Sequence, residues 1–369
     1  MMWITKFNDS EFHAPFLIDK DSDYYNDLRR RLSYFNRRLK EASADEKSIS
    51  ISRKFSDKIC ESIRDYYKGN ISSCHQKIEN LVKSCEQHKL AVTEIGESSA
   101  FPGTRGSEIQ FFRARKETDF KKLTAKDMLH IPFHLRGKSG SYRFSIPGVT
   151  SLYLANTSYG CWVEMGRPAE HDFYVAPFVL DGKQKIFNLA VATRILVDLN
   201  DGAEDYVHCW IKLLILMMAT SYRIEETNRI FKSEYIISQS IMLACKKRGY
   251  DGVAYFSKQV EDEMFAFSAI NLALFAEYQK GKEYGEICNH IKVDEPFNYQ
   301  LYKQLDYSAK YKEYPLRIDE TRYITNINGY KRQYDYRETD FYRFDRHLFS
   351  RWDDKEQIQW GNALHCEMH

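Results

Sequence analysis

Between Asp205 and Ser221 the chain reads DYVHCWIKLLILMMATS, and its stretch Leu213 to Ala219 is apolar at every position. A helix with no polar face has to be covered from all sides. The segment is therefore predicted to be a long, largely buried helix inside a protein big enough to wrap it. Its apolar run falls far short of the ~20 residues that span a bilayer. The chain can supply the wrapping, with 369 residues that are 43% hydrophobic and 15% aromatic. That length is long for one domain and comfortable for two. With 54 basic and 52 acidic residues the net charge is +2, so bulk charge points to neither nucleic acid nor a membrane as partner.

The eight cysteines stand at 60, 74, 85, 161, 209, 245, 288 and 366, with no CxxC and no tight Cys/His cluster. No metal site is expected from such spacing. The start, MMWITKFNDSEFHAPF, lacks a basic segment followed by an apolar one, so no signal peptide is expected. A reduced cytoplasmic setting follows, with the thiols serving as small core residues.

Three regions differ in character. Residues 1–95 are predicted to form a small helical N-terminal module, regulatory or interacting in role. Leu28, Leu32, Phe35 and Leu39 have helical spacing. A second helix is predicted from about Asp57 to Lys68, ended by Gly69-Asn70. A third carries Ile71, Cys74, Ile78, Leu81, Val82 and Cys85 on one stripe, with Asn70 or Ser72 as cap. The loop Gly96 to Gly106 marks the boundary.

Residues 106–277 mix strands and helices. Strands are predicted at Ile109 to Arg113, Ser151 to Leu154, Phe173 to Leu180, Ile186 to Leu189, Gly252 to Phe256 and Phe265 to Phe275. A helix is predicted from Glu234 to Arg248, stopped by Gly249. Residues 278–369 form a C-terminal extension rich in tyrosine and charge, read as short strands or irregular structure that wraps the domain or mediates assembly.

The chemistry concentrates between Phe112 and Glu164. Arg113 ends an apolar-aromatic run, Arg143 precedes a Pro147-Gly148 turn, and Tyr153 stands on the strand that follows. Glu164 is a single carboxylate among Cys161, Trp162, Val163 and Met165. Two guanidiniums suit a diphosphate, because each fork can bond two oxygens. Tyr153 can stack on a planar ring. A carboxylate can stabilise the positive charge that develops on a ribose as its glycosidic bond breaks. Tyr142 and Trp162 are secondary pocket candidates, whereas His130 and His134 read as loop-packing residues. Taken singly, the arginine, the tyrosine and the acid each read more simply as a surface ion pair, a core tyrosine and a solvated helix face. The order and the turn between them favour the functional reading.

This order and spacing, with the PG turn and the SLYLA strand, resembles the RES family, over roughly Ile109 to Ala276. The resemblance implies an α+β fold with an ADP-ribosyltransferase-like mixed sheet and flanking helices. It implies a toxin or anti-phage defence effector that consumes NAD as substrate, without a metal. It also implies Arg113, Arg143, Tyr153 and Tyr142 as binding residues and Glu164 as catalytic. An antitoxin or other regulatory protein is an expected partner, and a homo-oligomer the expected assembly. Where the family carries a serine, this chain reads FKSEYIISQ, placing Glu234 at that position with Ser233 and Ser238 beside it. Either a neighbouring serine substitutes, or Glu234 is a second acid; equally, Glu234 merely opens a helix, where acids favour the dipole. The attacking group stays open among water, phosphate and a protein side chain, the last making a protein ADP-ribosyltransferase. A non-enzymatic binding protein is the rival reading, carried by Arg29, Arg30, Arg31, Arg37 and Arg38, which would bind nucleic acid in a salt-dependent way.

Overall fold

The helix predicted to be wrapped is wrapped. In the computed structural model α5 spans Glu204–Thr220, and every residue from Val207 to Thr220 except Lys212 is buried. Lys212 escapes by donating its Nζ to the Ser84 carbonyl, 2.8 Å away. The structure describes residues 10–18, 22–101, 109–119, 122–191, 204–224, 229–260, 267–305, 323–327 and 330–351, with backbone alone at 10, 323–327 and 330–334. Among these residues no helix is long and apolar enough to cross a membrane.

The elements before α5 are β1 (Phe16–Ile18), α1 (Tyr24–Glu41), α2 (Glu46–Tyr67), α3 (Ile71–Lys83), β2 (Val92–Glu94), β3 (Ile109–Lys116), β4 (Ser151–Ala155), α4 (Ser158–Glu164), β5 (Phe173–Leu180) and β6 (Lys185–Asn188). After it come β7 (Tyr222–Ile224), α6 (Ile236–Lys247), β8 (Gly252–Phe256), β9 (Ile270–Phe275), β10 (Ile291–Val293) and β11 (Phe297–Asn298). The last are α7 (Tyr299–Gln304), β12 (Tyr323–Ile327), β13 (Tyr330–Asp335) and α8 (Asp340–Ser350). Helices combined with parallel and antiparallel strand pairs make this a mixed α/β protein. The chain divides into two compact units. The first is Met1–Thr93, Ser141–Ile146 and Lys185–Glu263; the second is Glu94–Gly140, Pro147–Gln184 and Met264–His369.

In the first unit α2 packs on α1, α3 and α5, and α3 packs on α6. The predicted stripe of α1 is buried at Leu28, Leu32, Phe35 and Leu39. Tyr24 ties the same helix to α5, its hydroxyl donating to the Ala219 carbonyl at 2.6 Å. Helix α2 starts at Glu46, well before the predicted Asp57. Asp45 caps it by accepting from the Ser48 N–H at 2.7 Å. Its first turns bury Ser48, Ser52 and Ser56, and Asn36 of α1 bonds Ser52 and Ser56. These small polar residues show no apolar period, which is why the sequence reading began the helix too late. Helix α3 buries Cys74, Ile78, Leu81 and Val82, while Ile71 stands exposed and Asn70 caps without a side-chain bond. Helix α6 begins at Ile236, after a 3-10 turn over Ser233–Tyr235. Strands β8, β6 and β2 lie side by side, and β1 runs parallel to β7.

The second unit holds the strand order β10-β5-β3-β4-β9, with antiparallel pairing throughout and β11 also on β5. The C-terminal extension contains more regular structure than its charge suggested. Helix α8 buries Phe341, Phe344, Asp345, His347, Leu348 and Phe349. Thr339 caps it by accepting from the Tyr342 N–H. The helical period was present, but charged residues interleave it. Strand β9 begins at Ile270 rather than at the predicted Phe265, and 265–266 lie outside the described residues, as do 102–106 of the predicted boundary loop and Cys366. Six of the other cysteines are buried and Cys60 is half-buried; burial pushes the Cys85 thiol up to about 11.

Ile78 is fully buried in α3, so Ile78→Ala is expected to cost about 2–5 kcal/mol, read by denaturant unfolding. In the second unit His130 is 1% exposed. Its Nε2 accepts from the Gly285 N–H at 3.0 Å, while Nδ1 lies 2.8 Å from the Ile131 carbonyl. That pattern requires the neutral ring protonated on Nδ1. Burial, aided by Arg113, holds its pKa below the usual histidine value. Burial and Arg351 bring His347 down to about 4. Both folded values lie below the unfolded value of about 6.5. Their contribution is therefore complete above that pH and lost as pH falls through the folded values. The unfolding midpoint should drop by several degrees between pH 7 and pH 4.5, and His347→Leu should flatten that slope.

Candidate active site

The second unit builds one group of candidate residues around β4. Leu152 and Leu154 are buried while Tyr153, between them, is half-buried, the alternation of a strand with one covered face. Strand β4 pairs with β9 in the register Tyr153↔Ala273 and Ala155↔Asn271. Directly opposed residues share a face, as do residues two apart along a strand. Tyr153 and Asn271 therefore stand on the same face. Arg113 on β3 donates its Nη1 to the Tyr153 carbonyl at 2.8 Å, fixing the strand at the residue whose ring is half-buried.

Helix α4 follows β4 with almost no linker. Thr157 caps it, its Oγ1 accepting from the Gly160 N–H at 2.9 Å and donating to the Ser268 carbonyl. A Cβ on Gly160 would lie 3.2 Å from both Ala155 Cβ and Thr157 Oγ1, so glycine permits the close approach of helix to strand. The helix buries Ser158 through Val163 and ends on Glu164, which is exposed. Asn271, 4% exposed, donates its Nδ2 to Glu164 Oε1 at 2.6 Å. A buried amide thus fixes one oxygen of an exposed carboxylate. Trp162, by contrast, is 7% exposed and packs on Tyr159 and Phe341, with its Nε1 donating to the Pro168 carbonyl. It is a core residue.

The first unit holds the remaining candidates. Tyr142 and Ser145 exchange two backbone hydrogen bonds, of 3.1 and 3.3 Å, closing a turn with Arg143 and Phe144 at its tip. Arg143 is only 6% exposed. Its Nη1 donates to the Phe256 carbonyl at 2.8 Å and its Nη2 to Ser221 Oγ at 3.0 Å. Its guanidinium also lies 4.7 Å from the Tyr255 ring, so the charge is shared between acceptors and an aromatic face. The Tyr142 ring is exposed. Gln239 of α6 secures the turn, its Nε2 reaching Ser141 Oγ and the carbonyls of Tyr142 and Ser145 at 2.8 to 3.2 Å. Ser233 and Glu234 lie in the 3-10 turn that leads into α6. Both are buried, and Glu234 Oε2 has no hydrogen-bond partner among the described residues. Ser238 is fully buried and donates to the Tyr235 carbonyl.

Arg113, Tyr153 and Glu164 are thus brought onto neighbouring elements of one unit. Tyr142 and Arg143 share a turn of the other, tied by Gln239 to the helix that follows Ser233 and Glu234. Asn271 and Gln239 were missed by the sequence reading. The signal for Asn271 was a lone amide in the apolar strand INLALF, and for Gln239 one in the apolar segment YIISQSIM. Among the described residues no group of three or more His, Cys, Asp and Glu could hold a metal ion.

Comparison with known proteins now adds to this geometry. The model of the RES domain matches residues 111–291. A Bacillus subtilis (strain 168) protein named "Putative toxin YopC" is 34% identical over 163 residues, which cover 41% of this chain and 37% of that protein. The chain therefore spans little more than a third of the curated relative it matches. No solved structure matches. The matched segment includes Arg113, Tyr142, Arg143, Tyr153, Glu164, Ser233 and Glu234, together with Gln239 and Asn271, and stops before α7 and α8. Residues 111–291 of this chain are similar to the RES domain.

Proposed function

We propose that this protein cleaves the nicotinamide–ribose bond of NAD and acts as a toxin or anti-phage defence effector, on an ADP-ribosyltransferase-like fold. The observation that carries the reading is the pairing of Glu164 with Asn271. An exposed acid whose orientation is set by a buried amide is preorganised, and preorganised charge is what a developing oxocarbenium ion requires. Asn271 occupies Oε1, which leaves Oε2 to face the ribose. Nicotinamide departs neutral, so its leaving needs little proton transfer.

Tyr153, on the same face as Asn271, stacks on the nicotinamide ring. Arg113 anchors phosphate while bracing the Tyr153 backbone. Tyr142 and Arg143 hold the diphosphate and adjacent ribose, Arg143 by fixing the turn that presents Tyr142. Glu234, buried with one open oxygen, serves as a second acid that activates the acceptor, with Ser233 beside it. A small nucleophile completes the reaction: water makes a glycohydrolase and phosphate a phosphorylase. The enzyme works in the cytoplasm, as a homo-oligomer, restrained by an antitoxin or another regulatory protein.

The test is nicotinamide release by the purified full chain, with and without phosphate. Glu164→Ala is expected to lower kcat by about 10²–10³-fold, the scale of removing a preorganised stabilising group. Wild-type turnover in folded Glu164→Ala would overturn the role of the acid, and an inert wild-type protein would overturn the reaction. Asn271→Ala is expected to reduce kcat by about 10-fold or more with little change in KM. The product formed, ADP-ribose or its 1-phosphate, identifies the nucleophile.

A further inference from the structure

Helix α8 lies beyond the matched segment, yet it completes the helix that ends in Glu164. The Ser158 N–H, in the first turn of α4, donates to Asp345 Oδ1 at 3.2 Å. Asp345 is fully buried, and its Oδ2 accepts from the Tyr336 hydroxyl at 2.6 Å. Tyr336 is equally buried, and burial together with Asp345 holds its pKa well above the ordinary phenol value. It therefore remains a donor. Around this polar centre Phe341 packs against Tyr159 and Trp162 of α4 and stacks on Tyr299 at 4.9 Å. Phe349 meets Phe112 of β3.

A carboxylate with no exposure is costly to desolvate unless it is hydrogen-bonded. Apolar contacts alone could have held α8 in place, but they would not have fixed the register of α4 as closely. Asp345 accepts one hydrogen bond from the N-terminal turn of α4, the end of a helix that favours an acidic side chain. Helix α4 has seven residues, so its length is about 10 Å. A displacement at Ser158 is carried directly to Glu164. The short helix is thus gripped at its start by Asp345 and at its end by Asn271.

We propose that Asp345 and Tyr336 are positioning residues for Glu164, which makes the segment from Tyr336 to Ser350 part of the catalytic unit. The proposal rests on the NAD-cleaving reading of Glu164. It is tested in the full chain by nicotinamide release from Asp345→Ala, Asp345→Asn and Tyr336→Phe, each checked for folding by thermal unfolding. Asp345→Ala should lower kcat by about 10-fold or more with KM for NAD within about twofold. Asp345→Asn should restore most of the rate, because the amide oxygen still accepts from Ser158 and its N–H can donate to the Tyr336 oxygen. In a Glu164→Ala background Asp345→Ala should cause no further loss, as expected of residues acting through one another. Wild-type kcat in folded Asp345→Ala, or equal losses in both backgrounds, overturns the proposal. Should Asp345→Ala fail to fold, Tyr336→Phe gives the same reading: a fall in kcat at constant KM supports it and an unchanged kcat overturns it. The carboxyl ¹³C resonance of Glu164, assigned by its loss in Glu164→Ala, serves even if the wild type leaves NAD intact. It should shift in Asp345→Ala or Tyr336→Phe and stay in place in Asp345→Asn. An unmoved resonance refutes the positioning role independently of the reaction.

Discussion

Helix α4 buries six consecutive residues and exposes the seventh, Glu164. That arrangement depends on how closely the helix approaches β4. A Cβ at Gly160 would stand 3.2 Å from both Ala155 and Thr157, so a larger residue there would make its neighbours give by a few tenths of an ångström at the start of the helix that ends in the acid. Thr157 contributes from the other side, using one hydroxyl both to cap the helix and to reach the Ser268 carbonyl. The placement of the carboxylate is therefore decided several residues before it, by a glycine and a threonine with no chemistry of their own. Arg113, bonded to the Tyr153 backbone, steadies the strand from which this turn departs.

Arg143 illustrates a different solution to a buried charge. A guanidinium with 6% exposure must find acceptors within the fold, and it finds a main-chain carbonyl, a serine hydroxyl and the face of Tyr255. The turn that carries it is too short to be stable by itself and is secured by one amide, Gln239, reaching three oxygens. Residues 141–146 consequently belong to the first unit, while the sequence on either side belongs to the second.

Much of this was legible in the sequence, for identifiable reasons. The spacing of Leu28, Leu32, Phe35 and Leu39 and the apolar run of α5 follow from burial on a 3.6-residue period, which composition displays openly. Strands β5 and β8 announced themselves by aromatic and β-branched residues between turn formers. Helix α2 hid its first turns because serines, rather than leucines, face α1. Helix α8 hid because Arg343, Asp345 and Arg346 interrupt the apolar period of Phe341, Phe344 and Leu348. At the site, Arg113, Tyr153 and Glu164 were visible as residue types in a familiar order. Asn271 was not, since nothing in an apolar strand indicates an acid 107 positions away. Pairings at that distance are set by sheet register, which a single sequence does not spell out.

The bond between Ser158 and Asp345 joins residues 187 positions apart. A ribosome delivers the chain from its N-terminus at about 5–20 residues per second, so Asp345 emerges roughly 10–40 s after Glu164 at that rate. Throughout that interval α4 has its strand, its threonine and its glycine but lacks the carboxylate that closes its first turn. The acid is made early and its support arrives late. The chain is thus extended by 187 positions beyond Ser158 before this support of α4 exists, a delay written into the order of the sequence.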